Sequence, residues 1–434
     1  MERIRNFILL LRGQLWILPA IISGLALVLA SFLLSNGAAI LPSPSADIWW
    51  LYSGDAASAR EVLSSLLSGL MTMTSLVVSI TFVILTLAAS QLGPRLIATF
   101  IADRQIQTVL GVFLGTILYV LAVLRTLDEE LGKEAVPHIA VSVGSGLTVV
   151  CLFALLWYVH KIARSIIADN VVETVARDLR RNIRDILPEG HHGEEHAEAP
   201  RDWSGAASVS LDRSGYILTI GYDELVELGR RKRLVMNIEV RAGHFLLKHG
   251  EHVRVQPAGS VDEDVVAAIR KAFVVGQERT PAQDLEYGIR QLVEIALRAL
   301  SPGINDPFTA IAVLDRLGAA LEDVLSRGLR NGVLKDRDGK VRVVADRTDI
   351  GGLVGAAFDM IREAGRTHPS VLIRMADVLG QLAPVLDRAE GREAIEAQLR
   401  KLAETARQER LAPSDQADVE RRIRAACTSV RGTA

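Results

Sequence analysis

The sequence contains little of what marks several large protein classes. Its 434 residues include two cysteines, Cys151 and Cys427, which lie far apart and form no disulfide framework, so the chain fits a reducing compartment. Asp and Glu number 51 against 49 Lys and Arg, and the net charge of -2 gives no reason to expect a nucleic-acid partner. Residues 274–317, the densest group of polar motifs, contain no paired histidines, no nucleophile motif and no phosphate-binding glycine loop, so we predict no enzyme activity, no metal and no other cofactor.

Long apolar stretches, in contrast, are plentiful near the N-terminus. Four of them reach the roughly 20 helical residues that cross a bilayer core about 30 Å thick. They cover residues 15–34, 62–89, 106–124 and 139–159. The sequence therefore predicts a domain of four transmembrane helices over residues 1–160.

Basic residues flank these stretches on alternate sides. Arg3, Arg5 and Arg12 precede the first stretch. Arg95 and Arg104 lie between the second and third, and Lys161 and Arg164 follow the fourth. Because loops rich in Lys and Arg remain on the cytoplasmic side, we expect a multi-pass protein of the bacterial inner membrane with both termini in the cytoplasm.

The second apolar stretch carries a regular row of hydroxyl side chains, which we call the hydroxyl stripe. Its members are Ser68, Thr72, Ser75, Ser79, Thr86 and Ser90. Their steps of three, four or seven residues place them on one face of a helix with 3.6 residues per turn. No charged residue or histidine lies between Val62 and Leu92, so a proton relay centred on this helix is not expected.

Two interpretations of the hydroxyl stripe stay open. Small side chains let helix backbones approach closely, and hydroxyls can bond back to their own helix, so the stripe is typical of a helix-packing seam. Alternatively, copies of this helix surround a shared axis and the hydroxyls line a permeation path. In that case rings of Leu76 or Phe82 would form an apolar gate.

The rest of the chain predicts a cytoplasmic α+β domain with a small β-sandwich or barrel-like insert, so the fold class is an α-helical membrane bundle followed by that domain. Its parts are a helical stalk (161–187), a flexible linker (188–204), a β-rich subdomain (205–258), a helical hairpin region (259–330) and a mostly helical C-terminal region (331–434). Basic side chains along the stalk are Arg177, Arg180, Arg181 and Arg184. They indicate either a solvated helix face or contact with anionic lipid headgroups.

The β-rich subdomain and the motifs that follow it resemble known families. The passage "NIEVRAGHFLLKHGEHVRV" resembles the barrel-sandwich hybrid of lipoyl-like domains and membrane-fusion adaptors, but it lacks the lysine-bearing hairpin tip, which implies a structural role. The motifs "ERTPAQD" and "SPGINDPFTA", with the four spans and the strand-rich insert, resemble a bacterial family of predicted membrane proteins of unknown function. That resemblance implies a family and no established activity.

The two motifs predict two helices that meet at a polar corner. Thr280 can cap a helix that begins at Pro281, residues 301–303 end it, and Asn305 or Asp306 caps the next. The candidate corner residues are Glu278, Arg279, Asp284, Glu294, Asn305 and Asp306. They could bind an ion or a small ligand, or form an ion-paired hairpin at a subunit or domain contact.

These observations favour a homo-oligomeric channel or channel-like protein whose second helix lines the path and whose cytoplasmic domain gates it. The expected partners are the lipid bilayer and further copies of the chain, with an ion or small ligand as a further candidate. The alternative is a membrane-anchored scaffold or sensing module that binds a partner through the cytoplasmic domain. A hydrolase that uses Asp284, Glu294 and Asp306 is a third hypothesis.

Overall fold

The computed structural model describes residues 15–40, 52–91, 103–127, 136–165, 168–187, 202–329 and 332–432. The chain divides into two compact units, Met1–Asn170 and Val171–Ala434, which we call the membrane unit and the C-terminal domain. Most of the predicted linker, residues 188–201, lies outside the described residues, as do Arg3, Arg5, Arg12 and Arg95.

The membrane unit consists of long apolar helices. They are α1 (Ile17–Ile40), α2 (Ala56–Gln91), α3 (Arg104–Thr126) and α4 (His138–Ser165). Within the described residues, these four are long and apolar enough to cross a bilayer, which confirms the predicted spans. At about 1.5 Å per residue, the 36 residues of α2 extend over about 54 Å, more than the bilayer core requires.

Close backbone approach holds α3 against α1. A Cβ atom added at Gly111 would lie 2.7 Å from Ile22 Cδ1 and 3.0 Å from the Pro19 Cα, and Gly115 lies against Ala26 in the same seam. The phenol of Tyr119, on the same helix, is fully buried and donates to the carbonyl of Ala140 on α4 over 2.9 Å. The small residues of the third span therefore form a packing seam.

Helix α2 joins the bundle through a row that repeats every seven residues. Leu63, Leu70, Val77 and Ile84 are buried, with at most 7% of each residue exposed. Successive members of this row are displaced by only about 20° around the helix, so they form one continuous apolar face.

The C-terminal domain begins with a helix and then forms two small sheets. Its first elements are α5 (Ala168–Ile186), β1 (Ala207–Val209), β2 (Gly215–Ile220), α6 (Tyr222–Lys232), β3 (Val235–Ile238), β4 (Phe245–Leu246), β5 (Val253–Gln256), α7 (Glu263–Ala272) and β6 (Phe273–Gly276). The later elements are α8 (Leu285–Ala299), α9 (Pro307–Arg327), β7 (Val333–Lys335), β8 (Val341–Ala345), α10 (Ile350–Ala364), α11 (Pro369–Gln381), α12 (Ala389–Gln408) and α13 (Pro413–Gly432). A mixed helix and sheet domain with small sheets thus confirms the predicted fold class.

The sheets combine strands that are distant in sequence. One has the order β1-β5-β3-β8-β7, with β3 and β8 parallel and the other neighbours antiparallel, and the second has the order β4-β2-β6. Strands β1 and β2, which follow each other in sequence, therefore lie in different sheets. Three strands of these sheets, β6, β7 and β8, come from outside the predicted β-rich range 205–258. One apolar core, which includes Leu225 and Ile269, packs on both sheets.

Helix α5, most of the predicted stalk, packs on the other helices of its own domain. Its buried residues include Val172, Leu179 and Ile183. A Cβ atom at Gly288 of α8 would lie 2.9 Å from Leu179 Cδ1, so only glycine allows this approach. The apolar stripe of α5 is therefore covered by protein in the C-terminal domain.

Two of the four basic residues of α5 pair with carboxylates of the protein. Arg180 donates to Asp323 of α9 over 2.7 Å, and Arg177 lies 3.4 Å from Glu173. Glu173 also accepts from Arg316 of α9 over 3.0 Å. These pairs agree with a solvated helix face.

The seam between α1 and α3 generates a stability prediction. We expect Gly111→Leu to lower the free energy of unfolding of the membrane unit by about 2 kcal/mol, because the new side chain meets α1 at less than van der Waals distance. Gly146→Leu is the matched control, since nothing lies within 4 Å of its added Cβ atom. Thermal unfolding of the two purified variants in detergent provides the measurement, and equal loss in both would contradict the seam.

Candidate functional site

The hydroxyl stripe lies on the face of α2 that points away from the bundle. Ser68, Thr72, Ser75, Ser79 and Thr86 are exposed within the protomer. At 100° per residue, Ser79 lies about 180° around the helix from Leu70 of the buried row. These five residues therefore do not pack on the other helices described for the membrane unit. The side chain of Ser90, the sixth member of the stripe, lies outside the described part.

Two stripe threonines have their hydroxyls bonded to the helix itself. Thr72 donates to the carbonyl of Ser68 over 3.0 Å, and Thr86 donates to that of Phe82 over 2.9 Å. Such bonds lower the cost of placing a hydroxyl in an apolar environment. Large apolar side chains stand beside the stripe, and Leu76 and Phe82 have 51% and 65% of their surfaces exposed.

A polar contact that the sequence analysis did not predict lies on the opposite face of α2. Thr81 bonds both to the carbonyl of Val77 and to the phenol of Tyr158 on α4. Its position could have been recognised, because Thr81 follows Leu63 by 18 residues, which is five whole helical turns. Thr81 therefore belongs to the packed face and not to the hydroxyl stripe.

The "ERTPAQD" motif ends in a buried ion pair. Asp284, with 4% of its surface exposed, accepts from Nε and Nη2 of Arg279 over 2.9 and 2.6 Å. Gly243 approaches this pair with φ +88°, and an added Cβ atom would lie 2.2 Å from Asp284 Oδ2. Burial raises the pKa of Asp284, and the Arg279 guanidinium opposes that rise.

Asp284 is also the N-cap of α8, which corrects the prediction that Thr280 caps a helix beginning at Pro281. Its carboxylate accepts from the backbone N–H of Glu286 over 3.1 Å. The preceding residues do not become helical because the Gln283 side chain bonds to both backbone groups of Ile220, at 2.9 and 3.2 Å. Gln283 thereby attaches this turn to the end of β2.

A second buried carboxylate extends the ionic cluster. Glu286 accepts from Arg241 over 2.9 Å and from Arg290 over 2.8 Å, and Arg241 also donates to Asp346 over 3.2 Å. Burial of Glu286 raises its pKa, but hydrogen bonds and charge from Arg290 and Arg241 outweigh burial and leave the pKa below its ordinary value. The sequence analysis missed Arg241, Glu286 and Asp346, because only the fold brings these segments together.

The "SPGINDPFTA" motif forms the connection between α8 and α9. Asp306 caps α9 as predicted, because its carboxylate accepts from the backbone N–H groups of Phe308 and Thr309 at 3.1 and 3.2 Å and from the Thr309 hydroxyl at 2.6 Å. Asn305 adopts φ +51°, and its Oδ1 atom lies 2.9 Å from Nε2 of His368. These bonds hold the connection in one conformation.

The six predicted corner residues do not form one site, which corrects that prediction. Arg279 and Asp284 stand at the start of α8 beside the exposed Glu278, whereas Asn305 and Asp306 follow its end. A helix of 15 residues is about 22 Å long, so the two groups lie far apart. Glu294 lies along the helix between them, 3.9 Å from Arg298. The fold therefore does not assemble Asp284, Glu294 and Asp306 into the hydrolase site of the third hypothesis.

The cluster at Glu286 generates a pH prediction. We expect Glu286→Gln to lower the free energy of local opening of α8 by about 2 kcal/mol near pH 7, because the native carboxylate accepts charged hydrogen bonds from two arginines. Since the folded pKa of Glu286 lies below the unfolded value of about 4.3, this stabilisation is complete above that value. It is lost as the pH falls through the folded pKa.

Hydrogen exchange of the amides of residues 285–299 in the full-length protein measures this effect. The difference between the native chain and Glu286→Gln should shrink as the pH is lowered from 7 towards about 3. A difference that stays constant over this range would show that the glutamine acts through packing rather than through the lost charge.

Comparison with known proteins finds relatives over most of the chain. The chain is 29% identical over 417 residues to "Uncharacterized protein Rv1290c" of Mycobacterium tuberculosis and to "Uncharacterized protein Mb1321c" of Mycobacterium bovis, which covers 94% of this chain and 79% of each relative. No solved structure matches the chain. The family model described as "Predicted membrane protein (DUF2254)" matches residues 12–381, which include the four spans, both sheets and both motifs. The chain therefore belongs to the DUF2254 family of predicted membrane proteins.

Proposed function

We propose that the protein is a homo-oligomeric channel of the bacterial inner membrane, in which α2 helices from several copies surround the path and the C-terminal domain controls it from the cytoplasm. One observation carries the proposal: the hydroxyl stripe faces away from the bundle of its own protomer. Lipid offers hydroxyl groups no hydrogen-bond partners, so a polar face in the bilayer favours contact with protein or water.

The arrangement of α2 supports a shared axis. Its apolar row at Leu63, Leu70 and Val77 occupies the face that joins the bundle, which leaves the opposite face for neighbouring copies. Small serines there allow close approach, whereas the exposed Leu76 and Phe82 are large enough to narrow a path. In such an assembly the stripe would be wetted at the axis and the apolar side chains would close it by excluding water.

The alternative, a membrane-anchored module that binds a ligand at the predicted corner, has weaker support. Asp284 and Asp306 both cap helices, and Asp284 is also paired with Arg279, so these carboxylates already accept hydrogen bonds within the domain. A ligand would have to replace those bonds.

Cysteine cross-linking tests the oligomeric contact. In a Cys151→Ala/Cys427→Ala background, we expect oxidation in membranes to link Ser75→Cys and Ser79→Cys chains into covalent dimers, because the stripes of neighbouring copies meet. Leu156→Cys on α4 is the matched control, since Leu156 is also exposed, at 68% of its surface, but lies on another helix. Stripe cysteines that cross-link no faster than the control would reject the contact.

Thiol labelling and conductance distinguish a wet path from a dry contact. We expect a membrane-impermeant cationic thiol reagent to modify Ser75→Cys and Ser79→Cys and to reduce the unitary currents of the purified protein in planar bilayers, while the Leu156→Cys protein keeps its currents. Cross-linking without labelling and without current would leave an oligomer whose stripe packs dry, and the channel proposal would be rejected.

A further inference from the structure

Phe308 is unusually exposed. It has 80% of its surface exposed, the largest value among the large apolar residues for which the structure gives an exposed fraction, and Ile304 in the same motif has 45% exposed. Even Leu156 and Phe153 on α4, in a predicted span, are less exposed, at 68% and 67%. Exposed apolar groups that form a patch mark interaction sites for protein or membrane, and two such residues stand in this one motif.

The direction in which Phe308 points follows from the register of α5 and α9. Glu173 pairs with Arg316, and Arg180 pairs with Asp323, so the two helices run parallel with a constant offset of 143 residue numbers. Measured along the helix axes, position 314 of α9 therefore lies beside Val171, the first residue of the C-terminal domain. Phe308 comes six residues earlier in α9, so it lies about 9 Å further along the axis, on the side from which the chain enters α5.

The contact between α8 and α5 places the connection at residues 300–306 at the same end of the domain. Its Gly288 contacts Leu179, and α8 leads into the connection that returns along α9. Ala299 follows Gly288 by 11 residues, or about 16 Å, whereas Val171 precedes Leu179 by eight residues, or about 12 Å. The connection at residues 300–306 thus lies at the end of the domain where the chain arrives from the fourth span, which we call the proximal end.

The linkage to the membrane is short. The fourth span ends at Ile162, nine residues before Val171, and nine residues reach at most about 30 Å even when fully extended. The covalent connection therefore keeps Val171 within about 30 Å of the end of the fourth span.

The exposed residues are also held in place. The N–H of Asp306 donates to the carbonyl of Ala299 over 2.7 Å, and that of Asn305 donates to the carbonyl of Ser301 over 2.9 Å. Together with the Asp306 cap and the bond between Asn305 and His368, these contacts order the backbone that carries Ile304 and Phe308. An apolar group on an ordered backbone enters a lipid interface without a further loss of backbone entropy.

We propose that the "SPGINDPFTA" connection is a membrane-surface contact, in which Phe308 and Ile304 enter the boundary between lipid headgroups and acyl chains. The occupant of this apolar surface is the bilayer to which the chain is already linked. Insertion would fix the orientation of the C-terminal domain relative to the membrane. The inference does not require conduction, so its failure leaves the channel proposal unchanged.

An environment-sensitive label on the full-length protein in phosphatidylcholine vesicles tests the contact. In the cysteine-free background, NBD is attached at Phe308→Cys and, as a matched control, at Ser326→Cys. Ser326 is exposed on the same face of α9, 18 residues and about 27 Å further from the proximal end. Vesicles are permeabilised so that both protein orientations are reached by aqueous quenchers.

We expect the label at position 308 to be blue-shifted, about two- to three-fold brighter than at 326, and quenched by lipids that carry a nitroxide on the acyl chain. The label at 326 should be quenched by iodide only. Iodide quenching of position 308 to the same extent as 326 would overturn the contact. So would a blue-shifted label that neither quencher reaches, since that result would indicate burial against a second copy of the chain.

A second variant protects the test from an effect of the label. With NBD at Ile304→Cys, we expect the additional change Phe308→Asp to reduce nitroxide quenching at least about two-fold, because a carboxylate opposes insertion. Unchanged quenching would show that Phe308 does not anchor the connection. Circular dichroism of each variant establishes that the exposed substitutions leave the fold intact.

Discussion

The intolerance of lipid for polar groups without partners is the constraint on which this structure depends. In the membrane unit, backbone groups are satisfied within helices, and Thr72, Thr81 and Thr86 return their hydroxyls to carbonyls one turn away. Because the apolar row of α2 is used for packing, its hydroxyl stripe is left on the outside of the protomer. The cost of polar groups in lipid makes the four apolar spans recognisable in the sequence. The same cost disfavours a single protomer that exposes the hydroxyl stripe to lipid.

A related constraint organises the C-terminal domain, where buried charges occur with charged partners. Asp284 is bound by Arg279, Glu286 by Arg241 and Arg290, and Asp336 by Arg342 over 2.6 Å. Removing one partner from such a group leaves a buried charge uncompensated, which costs more than the pair contributes as a whole. The motif that first suggested a ligand site thus has a structural use, since its Arg279–Asp284 pair stands at the start of α8. The neighbouring Arg241–Glu286 pair connects α8 with the loop before β4.

The two sequence motifs stand at opposite ends of α8. At one end, "ERTPAQD" attaches the helix to β2 through Gln283, and its Arg279–Asp284 pair lies beside that contact within the motif. At the other end, "SPGINDPFTA" turns the chain sharply and exposes Phe308. Because α5 and α9 run parallel, this exposed end is also the one at which the chain enters the domain. The polar corner and the exposed aromatic ring are therefore separate features.

The sequence by itself determined the elements that depend on local chemistry. Apolar length located the spans, and Asp306 located the start of α9. Tertiary structure alone decided the cap of α8, because Gln283 holds residues 281–283 against β2 in place of helix. It also decided which strands pair and which face of α2 is buried. These features depend on contacts between distant segments, and helix or strand periodicity carries no information about which surface will meet which partner.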